Sequence, residues 1–255
     1  MRIEGVFKRL RQNGRKAFIP YIMAGDPSLT ATRRFITELE EAGADLIELG
    51  VPFTDPLADG PTIQRAHERA LRKGITLKKV LGFVMNIRNK TTIPIILMTY
   101  YNPIFKYGVG EFVRDAKRAG VDGLIIPDLI PDEAGGLIAS ARRQGIDTIF
   151  LLAPTSTDER IKRVVKGSTG FIYYVSITGT TGSRLLMDRT MRETLAKIRS
   201  STTKPVAVGF GVSNPEEAKE VSRIADGVIV GSAIVRLIAK GKGVKTFARN
   251  LRKAI

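Results

Sequence analysis

The sequence contains no cysteine and a single histidine, His67. Without cysteine there is no disulfide framework, thiolate zinc site, iron–sulfur cluster or thiol nucleophile. One histidine argues against a multi-histidine metal centre, so no metal is expected. Acid–base chemistry then falls mainly to carboxylates, Tyr or Lys. Long hydrophobic runs are also missing. Ile93–Met98, broken by Pro94, is among the longest, far short of the roughly 20 residues of a membrane span. The opening segment, MRIEGVFKRLRQNGRK, is charged and amphipathic, unlike a signal peptide. A cytoplasmic protein without membrane contact is expected. Asn and Gln number only six and three; ionic surfaces poor in amides are a thermophile trait.

The chain has 255 residues, 43% of them hydrophobic and 26% charged. That composition suits a soluble globular protein, large enough to bury a core without disulfides or metals. Lys and Arg total 41 against 25 Asp and Glu, a net charge of +16. Such an excess can serve nucleic acid, anionic membranes or phosphorylated substrates. The basic residues are dispersed, however, as in Lys78-Lys79, Arg142-Arg143 and Lys162-Arg163, with no block of five or six like charges. The excess reads as a solvated outer surface, and nucleic acid is not an expected partner.

Short apolar runs alternate with helical patterns. Strands are expected over 17–24, 45–50, 93–99, 122–126, 147–152, 170–175, 205–209 and 226–230. Their near-continuous Val, Ile and Leu indicate parallel strands covered on both faces. Between them, helical segments run to Gly43, Gly120, Gly145 and Gly167, residues suited to ending a helix. Asn214-Pro215-Glu216-Glu217 opens another with a cap and two early acids. AGADLIEL, AGVDGLII and ADGVIV share one rhythm, as repeated units do. Eight such units predict an α/β fold, a (β/α)8 TIM barrel forming one domain over 1–255. The competing open, doubly wound sheet lacks a dinucleotide fingerprint after its first strand. Residues 1–11 form an extra N-terminal helix over the barrel floor, and 77–89 an extra helix before the third strand.

A barrel of this kind carries its active site at the carboxyl ends of its strands. The polar residues expected there include Tyr21, Glu48, Asp59, Tyr100, Asp128 and Tyr173. No Lys stands at a strand end, which disfavours Schiff-base chemistry. Glu48, inside Leu46-Ile47-Glu48-Leu49, is a buried carboxylate whose pKa should rise, suiting a group that gives and takes a proton. Asp59 lies in a Pro- and Gly-rich loop and reads either as a proton-transfer group or as a turn former in an exposed position. His67, on a helical stretch over 62–72, reads as a surface or helix-packing residue. Gly209-Phe210-Gly211 and Gly231-Ser232 follow the last two strands, where barrels commonly bind phosphate on backbone amides. Residues 178–183, rich in Gly and Thr, read as a mobile lid. These residues leave open a lyase, another phosphosugar barrel enzyme such as an isomerase, and a non-catalytic basic binding protein.

The 15-residue run Ile47–Pro61 (IELGVPFTDPLADGP) resembles the hallmark loop of the tryptophan synthase alpha-subunit family. The resemblance extends in order through Pro20-Tyr21, Gly25-Asp26-Pro27, Tyr100-Tyr101-Asn102-Pro103, Pro127-Asp128-Leu129, Thr181-Gly182, Gly209-Phe210-Gly211 and Gly231-Ser232. It implies a carbon–carbon lyase that cleaves indole-3-glycerol phosphate to indole and glyceraldehyde 3-phosphate. It implies Glu48 as the acid–base group and Asp59 as partner of the indole N–H. Tyr21, Tyr100, Tyr173 and Thr181 would contact substrate, Thr181 also positioning Asp59 when the lid closes, and Gly182, Gly211, Gly231 and Ser232 would hold the phosphate. No cofactor is implied on this chain; pyridoxal phosphate belongs to a beta subunit that receives the indole in an alpha2-beta2 assembly. Pro52 and Asp55, at the barrel mouth, are the expected docking residues. Tyr21 stands where the family often has Phe, and Gly-Thr-Thr-Gly where Gly-Val-Thr-Gly is common.

Overall fold

The computed structural model describes residues 1–175, 189–209 and 211–255. Its elements are α1 (Arg2–Gln12), β1 (Ala17–Met23), α2 (Leu29–Glu41), β2 (Ile47–Gly50), α3 (Pro61–Arg72), α4 (Leu77–Ile87), β3 (Ile95–Met98), α5 (Tyr101–Tyr107), α6 (Val109–Ala119), β4 (Gly123–Ile125), α7 (Gly135–Gln144), β5 (Asp147–Ile149), β6 (Leu151–Leu152), α8 (Asp158–Gly167), β7 (Ile172–Val175), α9 (Arg189–Ser201), β8 (Val206–Gly209), α10 (Pro215–Ser222), β9 (Gly227–Val230), α11 (Ser232–Ala239) and α12 (Val244–Ala254). Every strand pairing is parallel, in the order β5-β4-β3-β2-β1-β9-β8-β7-β6. β5 and β6 are two pieces of one run, interrupted at Phe150. β5 pairs with β4 and β6 with β7, so that run closes the sheet into a barrel. At the break the Phe150 amide donates to Ser168 Oγ at 3.1 Å instead of to a neighbouring strand. The expected TIM barrel is the observed fold, with its fifth strand split.

The repeated phrases have a physical meaning. Asp45, Asp122 and Asp226 stand at strand entrances on the barrel floor. Their amides donate to the carbonyls of Phe18, Ile95 and Val206 at 2.9, 2.9 and 2.8 Å. Their carboxylates accept the amides of the same three residues at 2.9, 2.9 and 3.0 Å. Each Asp thus extends the ladder by one reciprocal pair and satisfies a donor that the end of a strand would leave orphaned. Basic residues neutralise them: Arg252 at Asp45, Arg88 and Arg2 at Asp122, Lys16 and Arg199 at Asp226. Asp147 breaks the rule. It is buried, neither carboxyl oxygen makes a well-formed hydrogen bond among the described residues, and burial raises its pKa, with the Thr169 hydroxyl giving a partial offset.

The extra N-terminal helix is present as α1. Its Ile3 is fully buried on the barrel floor, against Gly123 and Gly170, where a Cβ at either glycine would crowd it. Phe7 packs on Phe171 at 5.6 Å between ring centroids. Gly120 and Gly145 end α6 and α7 in the left-handed conformation, as expected. Gly167 differs: it is the last helical residue of α8, and what it supplies is space, since Phe150 and Pro131 would lie 3.2 Å from a Cβ there. Among the described residues no helix is long and apolar enough to cross a membrane.

α3 is locked to the end of β1 by a buried carboxylate. Asp26 is 2% exposed and takes Arg69 on both oxygens at 2.7 Å. Gly25, at φ +84°, makes the turn, and its amide donates to Thr32 Oγ1. Arg69→Ala would leave the buried Asp26 carboxyl without its two hydrogen bonds, so a loss of about 3 kcal/mol is expected. In a chain of this size that lowers the melting temperature by about 6–12 °C. Thermal denaturation alongside Arg72→Ala, which breaks only the exposed pair with Glu68, checks it: equal losses would refute a special role for Arg69.

Candidate active site

The carboxyl ends of the strands bring Glu48, Asp59, Tyr21, Tyr100 and Tyr173 within one another's electrostatic reach. Glu48 on β2 lies in register with Tyr21 on β1. Tyr21, Tyr100 and Tyr173 are all buried, and their hydroxyls sense the carboxylates. Burial first, then the nearby negative charges of Asp59 and Glu48, hold Tyr21 and Tyr173 far above the ordinary tyrosine pKa. Tyr100 is shifted the same way by burial and Asp59. All three therefore present protonated, neutral hydroxyls. Two strand-end glycines make room for two of the rings. A Cβ at Gly50 would lie 2.2 Å from the Tyr21 hydroxyl, and one at Gly209 2.4 Å from that of Tyr173. The extra hydroxyl of Tyr21 is thus accommodated over Gly50.

Glu48 is 1% exposed, and its Oε2 has no hydrogen-bond partner among the described residues. Burial, reinforced by the charge of Asp59, pushes its pKa up to about 8. Such a group holds its proton at neutral pH and can both donate and recover it.

Asp59 departs from the expected exposed loop position: it is 9% exposed. Its Oδ2 accepts the Tyr100 hydroxyl at 2.8 Å and lies 3.1 Å from His67 Nε2. The Tyr100 hydroxyl in turn accepts the Ala58 amide at 3.0 Å, and Gln64 Nε2 donates to the Asp59 carbonyl at 2.9 Å. Among the described residues, both donors to the carboxylate fall on Oδ2. His67 is therefore no surface residue. It is 3% exposed and turned into the site, because the loop after β2 folds back over α3. Sequence reasoning missed this contact: a histidine eight residues beyond an aspartate carries no local signal, since the approach is made by the loop's path.

Gly211 has φ +85°; Gly231, beside Tyr21, and Ser232 begin α11. The helix ends differ. α10 is already occupied by its own residues: Asn214 caps it, and Glu217 accepts the amide and hydroxyl of Ser213. α11 has no acid in its first turn and no side-chain cap, so its free amides and dipole favour an anion. Asp128 accepts the Tyr101 amide at 2.9 Å at the start of α5 and lies outside the carboxylate pair. Of the docking residues, Asp55 is exposed but Pro52 is buried and packs inward. The proposed lid over 178–183, with Thr181 and Gly182, and Phe210 lie outside the described residues. Among the described residues no cluster of three or more His, Asp or Glu is placed to hold a metal.

Comparison with known proteins agrees along the whole chain. The family model for the tryptophan synthase alpha chain matches residues 7–254. The tryptophan synthase alpha chain of Geotalea daltonii is 54% identical over 242 residues, 95% of this chain and 92% of the relative. That of Geobacter sulfurreducens is 50% identical over 260 residues, covering 100% and 98%. A chain of the Mycobacterium tuberculosis tryptophan synthase structure superposes with a TM-score of 0.93 at 40% identity, over 100% of this chain and 98% of that one. Barrel, pocket and relatives concur: the chain belongs to the tryptophan synthase alpha chain family.

Proposed function

We propose that Glu48 and Asp59 carry the reaction of this family, with residues 1–255 acting as one domain. The chain is a carbon–carbon lyase of tryptophan biosynthesis, cleaving indole-3-glycerol phosphate to indole and glyceraldehyde 3-phosphate. The observation that carries the assignment is a fully buried Glu48 with an unpartnered Oε2, within the field of an Asp59 carboxylate whose Oδ2 takes two hydrogen bonds. Protonated Glu48 delivers its proton to indole C3, leaving positive charge on the ring nitrogen. Asp59 Oδ1, the oxygen its two donors leave free, faces the indole N–H and stabilises that charge. The bond from C3 to the glycerol carbon then breaks, and its electrons return to the ring nitrogen as indole regains aromaticity. The glycerol hydroxyl becomes the aldehyde, and its proton returns to Glu48. The indole ring is its own electron sink, so this chain needs neither cofactor nor metal, and pyridoxal phosphate belongs to the beta subunit. The free amides of α11 at Gly231 and Ser232, with Gly211 and Gly182, take the phosphate and fix the orientation. Tyr21, Tyr100 and Tyr173 line the indole end, and the family resemblance adds Thr181 to the substrate contacts. Indole release from indole-3-glycerol phosphate by the purified chain tests the reading.

Gly50→Ala would push the Tyr21 hydroxyl into that indole end. A KM about tenfold higher is expected, with the fold retained, because the crowded atom ends a side chain that can swing toward substrate. Steady-state kinetics check this; an unchanged KM would place the substrate away from Tyr21.

Proteins of this family pair with a beta subunit. We assign docking to the loop between β2 and α3, with indole passing directly to the partner of an alpha2-beta2 assembly. Leu57 on this loop is 91% exposed and Phe105 on α5 67% exposed, both on segments following strand ends. Asp55, two residues before Leu57, is exposed, and beyond the bond it accepts from the Thr54 hydroxyl its carboxylate can meet a basic group. Docking here also acts on the segment that carries Asp59. Activation by the beta subunit is expected in the range of linked sites, about 5- to 150-fold. Asp55→Lys should lose most of that activation while keeping its basal rate, by a charge clash at the interface. Titrating indole production with the beta subunit is the check; equal activation of the variant would move the interface elsewhere.

A further inference from the structure

We infer that His67 is a positioning residue of the Asp59 carboxylate and couples it to the docking loop. Two hydrogen bonds define the imidazole. The Phe53 amide donates to Nδ1 at 2.9 Å, and Nε2 lies 3.1 Å from Asp59 Oδ2. A backbone N–H can only donate, so Nδ1 is an acceptor and carries no hydrogen. The ring proton is therefore on Nε2 and is donated to Asp59. One buried ring thus joins the start of the loop, at Phe53, to its end, at Asp59, from a helix beneath both. Tyr100, whose ring lies edge-on to His67 at 6.3 Å, repeats the arrangement, accepting Ala58 N–H, donating to Asp59 Oδ2 and stacking on Phe53 at 5.1 Å. With both described donors on Oδ2, the carboxylate is held in rotation and Oδ1 is left for the indole N–H.

A helix-packing role does not account for this geometry. α3 is anchored independently by Arg69 on Asp26 and by buried Ile63, Ala66 and Ala70. Both ring nitrogens of His67 are spent on the loop and neither on α3 or a strand. A displacement of Phe53 on docking would be carried by a rigid ring to the carboxylate six residues further along.

The inference rests on the role proposed for Asp59. Asp59 meets a charge that develops only in the transition state, so misplacing it lowers kcat rather than raising KM. His67→Ala, assayed as the full chain saturated with its beta subunit, is expected to lose about 10- to 100-fold in kcat with KM changed little. Two near-isosteres separate the two bonds. Gln carries an N–H at the position of Nε2; Asn carries an acceptor at the position of Nδ1. His67→Gln should recover most of kcat and His67→Asn little. Equal rescue by both, or full kcat in His67→Ala, would overturn the inference. A second readout does not depend on turnover. His67 is the only histidine, so the ¹⁵N-labelled chain gives one imidazole pattern without assignment, and the Nε2–H tautomer is expected. The Nδ1–H tautomer would also overturn it. If Asp59→Asn itself kept full turnover, the role of Asp59 would fail instead, while the tautomer would still decide whether His67 holds that carboxylate.

Discussion

Glu48→Gln is expected to reduce turnover by about 10²–10⁴-fold and yet to melt at a higher temperature than the parent chain, the more so the higher the pH. Both halves follow from one fact. Burial and the charge of Asp59 hold the Glu48 pKa at about 8 against an ordinary 4.5. The folded chain therefore binds this proton more tightly than the unfolded chain. The stability it contributes is complete below pH 4.5 and is lost as pH rises toward 8. Above that, the gap corresponds to roughly 5 kcal/mol of folding free energy forfeited to a charge without a partner. Gln keeps the shape, has no proton to lose and escapes that loss. Its own buried amide trims the gain, so a melting temperature higher by about 10 °C at pH 9, shrinking to little near pH 5, is expected. Indole release and thermal melts at pH 5, 7 and 9 check the two halves. A variant that melted lower at every pH would show Glu48 to be part of the fold's support instead of a strained catalytic group.

The same carboxylate shows what sequence could reveal. Glu48 in a run of Leu and Ile announces its own burial, and the raised pKa follows from local composition. The barrel was legible for a similar reason, because strands covered on both faces read as continuous apolar runs and Gly120 and Gly145 stop their helices. Contacts set by the path of a loop were not legible. Pro and Gly in residues 52–60 signal a turn, but not that the turn folds back to bury Asp59 against His67 and Tyr100. Pro52 was expected outside for the same reason. The break at Phe150 was hidden because the bond that causes it comes from Ser168, on a segment 18 residues away. The aspartates of the repeated phrases were visible as a rhythm, but their reciprocal bonds to the preceding strand need three-dimensional register to be seen.

Asp59→Asn should lower turnover by about 10²–10³-fold without the loss of order that its burial suggests. Asn keeps one oxygen, and the two donors at Oδ2 dictate where that oxygen points, since Tyr100 and His67 both need an acceptor. The amide nitrogen is then forced into the position of Oδ1. There it meets the indole N–H donor to donor, where the parent offers an acceptor and a negative charge. The substitution thus inverts the interaction at the ring nitrogen at the moment charge develops, while the supporting bonds survive with a neutral acceptor. It also removes the charge that helps to raise the Glu48 pKa, so that pKa should fall while burial keeps it above 4.5. A ¹³C titration of the glutamate carboxyls, with Glu48→Gln identifying the resonance, measures this shift independently of catalysis. A Glu48 resonance titrating unchanged in Asp59→Asn would show that the two carboxylates do not share one field, and the paired mechanism would fall with it.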